Sequence, residues 1–336
     1  MKKIILGTQL IGSELNEKES LLLLDHAFKN KIFKIDSAER YPFPEKNSTF
    51  GSTEKIIGKW LSSRNIERSS IEIATKITGR NTGKISKIYS KRLTKKAIKV
   101  AAERSLRRLK TEYIDIIYLH WPDRYTNNFG RSYYNPDRDD LYIPLENQYE
   151  ALKELHKEGK IKSFGLSNES SWGLMKFVAI DAGTNIFSTI QEEYSILNRN
   201  PERSFKEIAI RENKNFYCYS PFSGGLLTKN YTFTQNKIKN TNKLWRLTKY
   251  KKETKKLQTE SKIQRIIMLR KICKINKISL LDLSLHFLKN QKFVKGIVIG
   301  PRNIQQLDGI INSYQKKISN KIINEIKMKT EKISPH

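Results

Sequence analysis

The chain has 336 residues, enough to bury a large core, and we expect one domain spanning residues 1–336. Its two cysteines, Cys218 and Cys273, stand far apart without a CxxC pairing, which argues against a disulfide framework and favours a reducing compartment. Lys and Arg number 64 against 34 Asp and Glu, a formal net charge of +30. These basic residues are spread over nearly every segment without a nucleic-acid motif, so we expect no specific nucleic-acid partner.

The first residues, Met1 to Leu6, imitate the start of a signal peptide, because two lysines precede an apolar run. The run ends at Gly7 and no small-residue cleavage pattern follows, so we interpret it as the first β-strand. No apolar run approaches the roughly 18 residues that a membrane span needs. The sequence therefore predicts a cytoplasmic protein without membrane contact.

Short apolar runs alternate with segments of helical periodicity along the chain. Between Ile98 and Leu109, for example, apolar residues fall on one helix face and basic residues on the other. The pattern of a strand followed by a helix, repeated eight times, predicts an α/β fold of the (β/α)8 TIM barrel type; a doubly wound sheet fits less well. The predicted strands are 3–6, 33–36, 71–76, 114–120, 163–167, 188–192, 216–220 and 296–300.

Three segments that follow predicted strands are longer than plain connections: 79–92, 121–144 and 221–252. All three lie on the face where barrel enzymes build their sites, so we expect functional loops. The alternative, disordered decoration, fits best for 232–242, which is polar and has no pattern.

Four reactive side chains come at the ends of neighbouring predicted strands. Asp36 ends the second strand, Lys76 the third and His120 the fourth, while Tyr41 lies in a proline-rich loop just after the second. Consecutive parallel strands deliver their C-terminal ends to one rim, so these side chains should meet there. An Asp and a Tyr after one strand are, by themselves, more often a turn former and a surface aromatic.

With this set the sequence resembles the aldo-keto reductases, whose catalytic Asp, Tyr, Lys and His come in this order from these strand ends. The resemblance implies an NADPH-dependent oxidoreductase that reduces an aldehyde or ketone to the alcohol without a metal. Tyr41 would be the general acid, Lys76 and Asp36 would tune it, and His120 would orient the carbonyl. An NADPH-binding barrel acting as a regulatory or partner-binding subunit is the alternative. Segments that resemble the bacterial Tas branch are 41–44, 120–124, 127–130 and 194–199.

The resemblance also assigns a cofactor site, although no G-x-G-x-x-G loop is present. Ser167, Asn168 and Gln191 would bind the nicotinamide carboxamide, and Tyr219 would stack on the ring. The loop 220–226 would wrap the pyrophosphate with backbone amides, since its glycines allow close approach. The residues assigned to NADPH are Thr8, Asp36, Ser167, Asn168, Gln191, Tyr219, Ser220, Pro221, Phe222, Ser223, Gly224, Gly225, Leu226, Lys229, Arg246, Gly300, Arg302 and Gln306.

The resemblance also assigns residues to the adenosine end of that site. Arg302 and Arg246 are candidates for the 2′-phosphate, because a guanidinium can donate two hydrogen bonds to it, but each could equally be one more exposed basic residue. Gly309 and Ile310 stand where many relatives have polar adenine contacts, which would reduce cofactor affinity. The N-terminal hairpin that closes the barrel floor in relatives is expected to be missing.

Overall fold

The computed structural model describes residues 3–80, 92–126, 134–138, 142–228, 232–234, 237–239 and 259–331. Its strands are β1 (Ile4–Gly7), β2 (Lys34–Asp36), β3 (Glu72–Ile77), β4 (Ile114–Leu119), β5 (Ile161–Ser167), β6 (Phe187–Glu193), β7 (Asn215–Tyr219), β8 (Thr232–Thr234), β9 (Lys237–Lys239) and β10 (Val294–Ile299). Eight of them close a parallel barrel in the order β1-β10-β7-β6-β5-β4-β3-β2, and β8 and β9 pair as a separate antiparallel hairpin. The predicted barrel class is confirmed, and each predicted strand lies within two residues of an observed one.

Helices surround the barrel: α1 (Glu17–Lys29), α2 (Ser52–Ser63), α3 (Lys95–Leu109), α4 (Leu145–Lys157), α5 (Ser171–Ile180), α6 (Phe205–Arg211), α7 (Glu260–Ile275), α8 (Leu280–Lys289), α9 (Ile304–Gln315) and α10 (Asn320–Glu331). The predicted apolar face of α3 is buried, whereas Arg104 and Arg107 on the other face are exposed. Across the ranges that the structure describes, no helix combines the length and apolar character needed to cross a membrane. The hairpin of β8 and β9 corrects the alternative interpretation of disordered decoration for residues 232–234 and 237–239; residues 235–236 and 240–242 lie outside the described residues.

The barrel interior is filled by two tyrosines, Tyr118 from β4 and Tyr217 from β7, together with small and aliphatic side chains. Each ring lies against a glycine of a neighbouring strand. A Cβ added at Gly165 would lie 2.4 Å from Cε1 of Tyr118, and one added at Gly296 would lie 2.6 Å from Cδ1 of Tyr217. Glycine is therefore required at both positions, because the rings occupy the space that a side chain would need.

The floor of the barrel, at the N-terminal ends of the strands, contains an ion pair. Lys34 of β2 donates from Nζ to Oε2 of Glu72 at 2.7 Å and to the hydroxyl of Tyr217 at 3.3 Å. Lys34 and Glu72 are also partners in the register of β2 and β3. The strand register thus brings opposite charges together directly below the tyrosine layer.

Candidate active site

Asp36 and Lys76 form a buried ion pair at the opposite rim of the barrel. Nζ of Lys76 lies 2.5 Å from Oδ2 of Asp36 and donates to the carbonyl oxygen of Ser37 at 2.8 Å. The other carboxylate oxygen, Oδ1, accepts a hydrogen bond from Nε2 of Gln191 at 2.8 Å. Lys76 is 1% exposed and Asp36 is 3% exposed. Such extra hydrogen bonds offset the desolvation that a buried ion pair requires.

Tyr41 lies in the loop after β2, with its ring beside the ion pair. Nζ of Lys76 is 5.5 Å from the ring centroid of Tyr41, and the His120 ring lies edge-on to it with centroids 6.0 Å apart. The loop is tied to the rim, because the Phe43 amide donates to the carbonyl oxygen of Gln9 at 2.8 Å. The Tyr41 side chain is thus held between a cation and an imidazole.

His120 follows β4 and is fixed at the rim by its backbone amide, which donates to the carbonyl oxygen of Ile77 at 2.8 Å. Burial, together with the positive charges of Lys76 and Arg40, holds the pKa of His120 well below its usual value. Its ring is therefore neutral at neutral pH, with one N–H to donate. Within the described ranges, Nδ1 of His120 has no hydrogen-bond partner.

These side chains border one end of a cavity of about 500 Å³, a volume typical of small-molecule sites. Lys76 supports that end from the barrel interior without lining it, and Ser223 and Leu226 are buried away from the cavity. Lys229 and Arg246 lie outside the described residues. Residues assigned from the sequence that line the cavity are Thr8, Asp36, Tyr41, His120, Ser167, Asn168, Gln191, Tyr219, Ser220, Pro221, Phe222, Gly224, Gly225, Gly300, Arg302 and Gln306.

A hydrogen-bonded group of side chains forms the wall next to His120. Nδ2 of Asn168 donates to the carbonyl oxygen of His120 at 2.9 Å and to Oγ of Ser167 at 3.1 Å. Oδ1 of Asn168 accepts from the hydroxyl of Tyr219 at 2.6 Å. Asn168 has a positive φ of 54°, a conformation that Asn tolerates better than most residues. The orientation of the Asn168 amide and the position of the Tyr219 ring are thereby fixed together.

The far end of the cavity is built around the start of α9. Oδ1 of Asn303 caps the helix by accepting from the Gln306 amide at 2.8 Å, and the Gln306 side chain accepts from the Arg302 amide at 3.0 Å. Gly300 and Gly309 also line this end, and a Cβ added at either would meet no atom within 4 Å. A ligand can therefore approach the backbone closely at both glycines.

Sequence reasoning missed two charged residues that line the cavity, Arg40 and Glu45. They form an ion pair, and the guanidinium of Arg40 lies 4.5 Å from the ring centroid of Trp121, another lining residue. The only available signal for Arg40 was that it directly precedes Tyr41. Glu45 had no signal, because its contact depends on how the loop folds back.

The Aldo/keto reductase family model matches residues 3–331, almost the entire chain. The protein therefore belongs to the aldo/keto reductase family, a family of oxidoreductases. It is similar to Protein tas of Escherichia coli (strain K12), with 32% identity over 324 residues that cover 96% of this chain and 92% of that protein. An aldo-keto reductase of Babesia bovis is 37% identical over 177 residues, which cover 48% of this chain and 62% of that protein.

The fold also matches a solved structure, a thermostable aldo-keto reductase in complex with the inhibitor epalrestat. The TM-score is 0.68 at 21% sequence identity, covering 97% of this chain and 94% of that one. The resemblance to the Tas branch is confirmed over 96% of the chain by the comparison with Protein tas. Among the segments that carry this resemblance, 127–130 lies outside the described residues.

Proposed function

We propose that the protein is an NADPH-dependent oxidoreductase that reduces an aldehyde or ketone to the alcohol, with the barrel working as a single domain. One observation carries the proposal: the buried pair of Asp36 and Lys76 lies beside Tyr41 and His120 at one end of the cavity. Carbonyl reduction needs a proton donor and a second hydrogen-bond donor at the carbonyl oxygen. Tyr41 and His120 supply these two groups.

Tyr41 gives its proton to the carbonyl oxygen and is left as a tyrosinate. Lys76 stabilises this anion, because Asp36 and Ser37 hold the ammonium group beside the Tyr41 ring. His120 is neutral and donates its N–H to the same carbonyl oxygen, which fixes the angle of approach and stabilises the negative charge that develops there. Each of the four residues thus has a separate task.

The cavity residues fit a nicotinamide dinucleotide, which when bound supplies the hydride. Asn168 and Gln191 offer amide groups for the carboxamide, and Tyr219 offers a flat wall for the ring. The open backbone at Gly300 leaves room for the rest of the molecule, and the guanidinium of Arg302, which lines the cavity beside Gly300, would bind a 2′-phosphate. We propose NADPH as the cofactor on this set of groups.

The test is a two-stage measurement on the purified protein. The first stage titrates NADPH and follows its fluorescence, and the second follows oxidation of NADPH after benzaldehyde, other aldehydes or ketones are added. We expect binding and carbonyl-dependent oxidation. Binding without oxidation of NADPH by any carbonyl compound would contradict the enzyme and favour a regulatory barrel.

A further inference from the structure

Lys76, Tyr118 and Gly165 form one row across three adjacent strands. Lys76 is the register partner of Tyr118 in β3 and β4, and Tyr118 is the register partner of Gly165 in β4 and β5. Partners in a register lie side by side, so the Tyr118 ring stands directly between the lysine and the glycine. Because no side chain projects from Gly165, the ring fits into the space beside Lys76.

The ammonium group of Lys76 has more N–H donors than the two oxygen atoms that accept hydrogen bonds from it. It has three N–H donors, and in the described part of the chain only Asp36 and Ser37 accept hydrogen bonds from it. Two aromatic rings complete its surroundings, with centroids 5.5 Å away for Tyr41 and 5.7 Å away for Tyr118. An ammonium within about 6 Å of an aromatic ring is attracted to its face, most strongly where water is excluded.

We propose that Tyr118 is a positioning residue that holds the Lys76 ammonium group in place against Tyr41. The inference rests on the proposed function, since it gives Tyr118 a role through the catalytic lysine. The hydroxyl of Tyr118 makes no hydrogen bond to Lys76 among the described contacts, so the ring face is the part that acts. An aliphatic side chain could fill the same space but could not attract the cation.

A matched control exists in the same barrel interior. Tyr217 also packs against a glycine, Gly296, and its ring lies 5.5 Å from the ammonium of Lys34 at the floor. It makes no contact with Lys76 among the described residues. Removing the Tyr217 ring therefore creates a similar loss of packing without touching the rim.

The experiment uses Tyr118→Leu and Tyr118→Met, the conservative variant Tyr118→Phe, and the control Tyr217→Leu. The first readout is independent of cofactor and substrate. It is the ultraviolet absorbance of the Tyr41 tyrosinate against pH, obtained by subtracting the same protein carrying Tyr41→Phe. The second readout is turnover of NADPH with benzaldehyde against pH, and circular dichroism checks the fold of each variant.

Without the Tyr118 ring, the ammonium is held less firmly and stabilises the Tyr41 anion less. For Tyr118→Leu and Tyr118→Met we expect the tyrosinate to form at higher pH and turnover to fall on the order of ten-fold. Tyr118→Phe should match the wild type in both readouts, and Tyr217→Leu should leave the tyrosinate titration unchanged.

A wild-type tyrosinate titration in a folded Tyr118→Leu or Tyr118→Met variant would overturn the inference. If Tyr118→Leu and Tyr118→Met both fail to fold, the inference is overturned too, because the main role of Tyr118 would then be to pack the barrel interior. If the wild type oxidises no NADPH with any carbonyl compound, the proposed function fails instead. The titration would still decide whether Tyr118 acts on Lys76.

Discussion

In the described structure, β2 and β3 form two lysine–carboxylate pairs with each other, one at each end of the barrel, with the roles of the two strands exchanged. At the rim the carboxylate Asp36 comes from β2 and Lys76 comes from β3, whereas at the floor Lys34 comes from β2 and Glu72 from β3. Both lysines face a tyrosine ring in the barrel interior. The local chemistry of the two pairs is thus nearly the same.

Their surroundings differ. The rim side chains are 1% and 5% exposed, for Lys76 and Asp36, whereas the floor side chains of Lys34 and Glu72 are 32% and 31% exposed. Asp36 lines the cavity next to Tyr41, while neither floor residue lines it. A lysine–carboxylate pair is therefore not a catalytic feature by itself. Burial, an adjacent phenol and an adjoining cavity distinguish the pair for which we propose a catalytic role.

The largest expected effect comes from Lys76→Met, with Lys34→Met as the matched floor variant. Lys76→Met leaves Asp36 buried without its cation, so we expect loss of reductase activity and a stability loss of about 3 to 5 kcal/mol. Lys34→Met should retain activity and lose at most about 1 kcal/mol, because its pair is partly exposed. Thermal and denaturant unfolding, measured beside turnover, give both quantities.

A second variant separates catalysis from stability at the rim. Lys76→Met combined with Asp36→Asn removes the stranded charge, so stability should largely recover while activity stays absent. If the double variant regains activity, or if Lys76→Met alone is fully active, the pair of Asp36 and Lys76 has a structural role only. The rim pair would then not differ in function from the floor pair.

Tyr41→Phe is expected to lower turnover roughly 10²- to 10⁴-fold, the usual worth of a general acid. NADPH binding should stay within a few-fold, since the hydroxyl delivers a proton and does not hold the cofactor. The floor variant Tyr217→Phe keeps its ring and should reduce carbonyls at nearly the wild-type rate. More than a tenth of wild-type turnover in folded Tyr41→Phe would mean that another group is the acid.

Arg302→Ala should weaken NADPH binding about ten- to a hundred-fold, the loss expected for a charge-assisted contact. NADH binding should change little, because NADH has no 2′-phosphate. Arg211→Ala on α6 is the control, since Arg211 pairs with Glu207 one turn earlier on the same helix and does not line the cavity. Equal affinity of the wild type for NADPH and NADH would show that the 2′-phosphate is not recognised.

The rim was largely predictable from the sequence because chain order determines it. Asp36 ends β2 and Lys76 lies one residue before the end of β3. Both strands are almost wholly buried, and in a parallel barrel all such ends meet at one face. What the sequence could not provide is lateral register. The contact of Lys76 with Tyr118, and the space left by Gly165, depend on how three strands align, which no local pattern encodes.

Loops were predicted less well for a related reason. The loop 220–226 was assigned to the cofactor as one unit, but its backbone turns, with a φ of 47° at Ser223, and buries Ser223 and Leu226. The hairpin strands Thr232–Thr234 and Lys237–Lys239 are too short to show a period of two residues. Turns of this kind are fixed by tertiary contacts.

Stability against acid should depend on the rim. Burial, Lys76 and Arg40 hold the pKa of His120 well below its usual value, so the folded state binds no proton there while the unfolded state does. Stability is therefore lost as pH falls below about 6.5, the ordinary histidine value. His120→Gln should lose less stability than wild type between neutral and mildly acidic pH in denaturant unfolding. If wild type and His120→Gln lose the same unfolding free energy as the pH falls, the lowered pKa of His120 is contradicted.

Stability against alkali should depend on the floor, and this is the smallest effect. Burial favours the neutral form of Lys34, but its hydrogen bond to Glu72 and the nearby Tyr217 outweigh burial, so its pKa is raised. A raised lysine pKa contributes stability that is fully present below about pH 10.4 and is lost as pH rises through the folded value. Solvent screening at this partly exposed pair limits the contribution to about 1 kcal/mol or less. Unfolding of wild type and Lys34→Met should thus differ at neutral pH and converge in strong alkali. If the two proteins instead differ in unfolding free energy by the same amount at every pH, Lys34 stabilises the fold through packing of its aliphatic chain. The ion pair with Glu72 would then contribute nothing to stability.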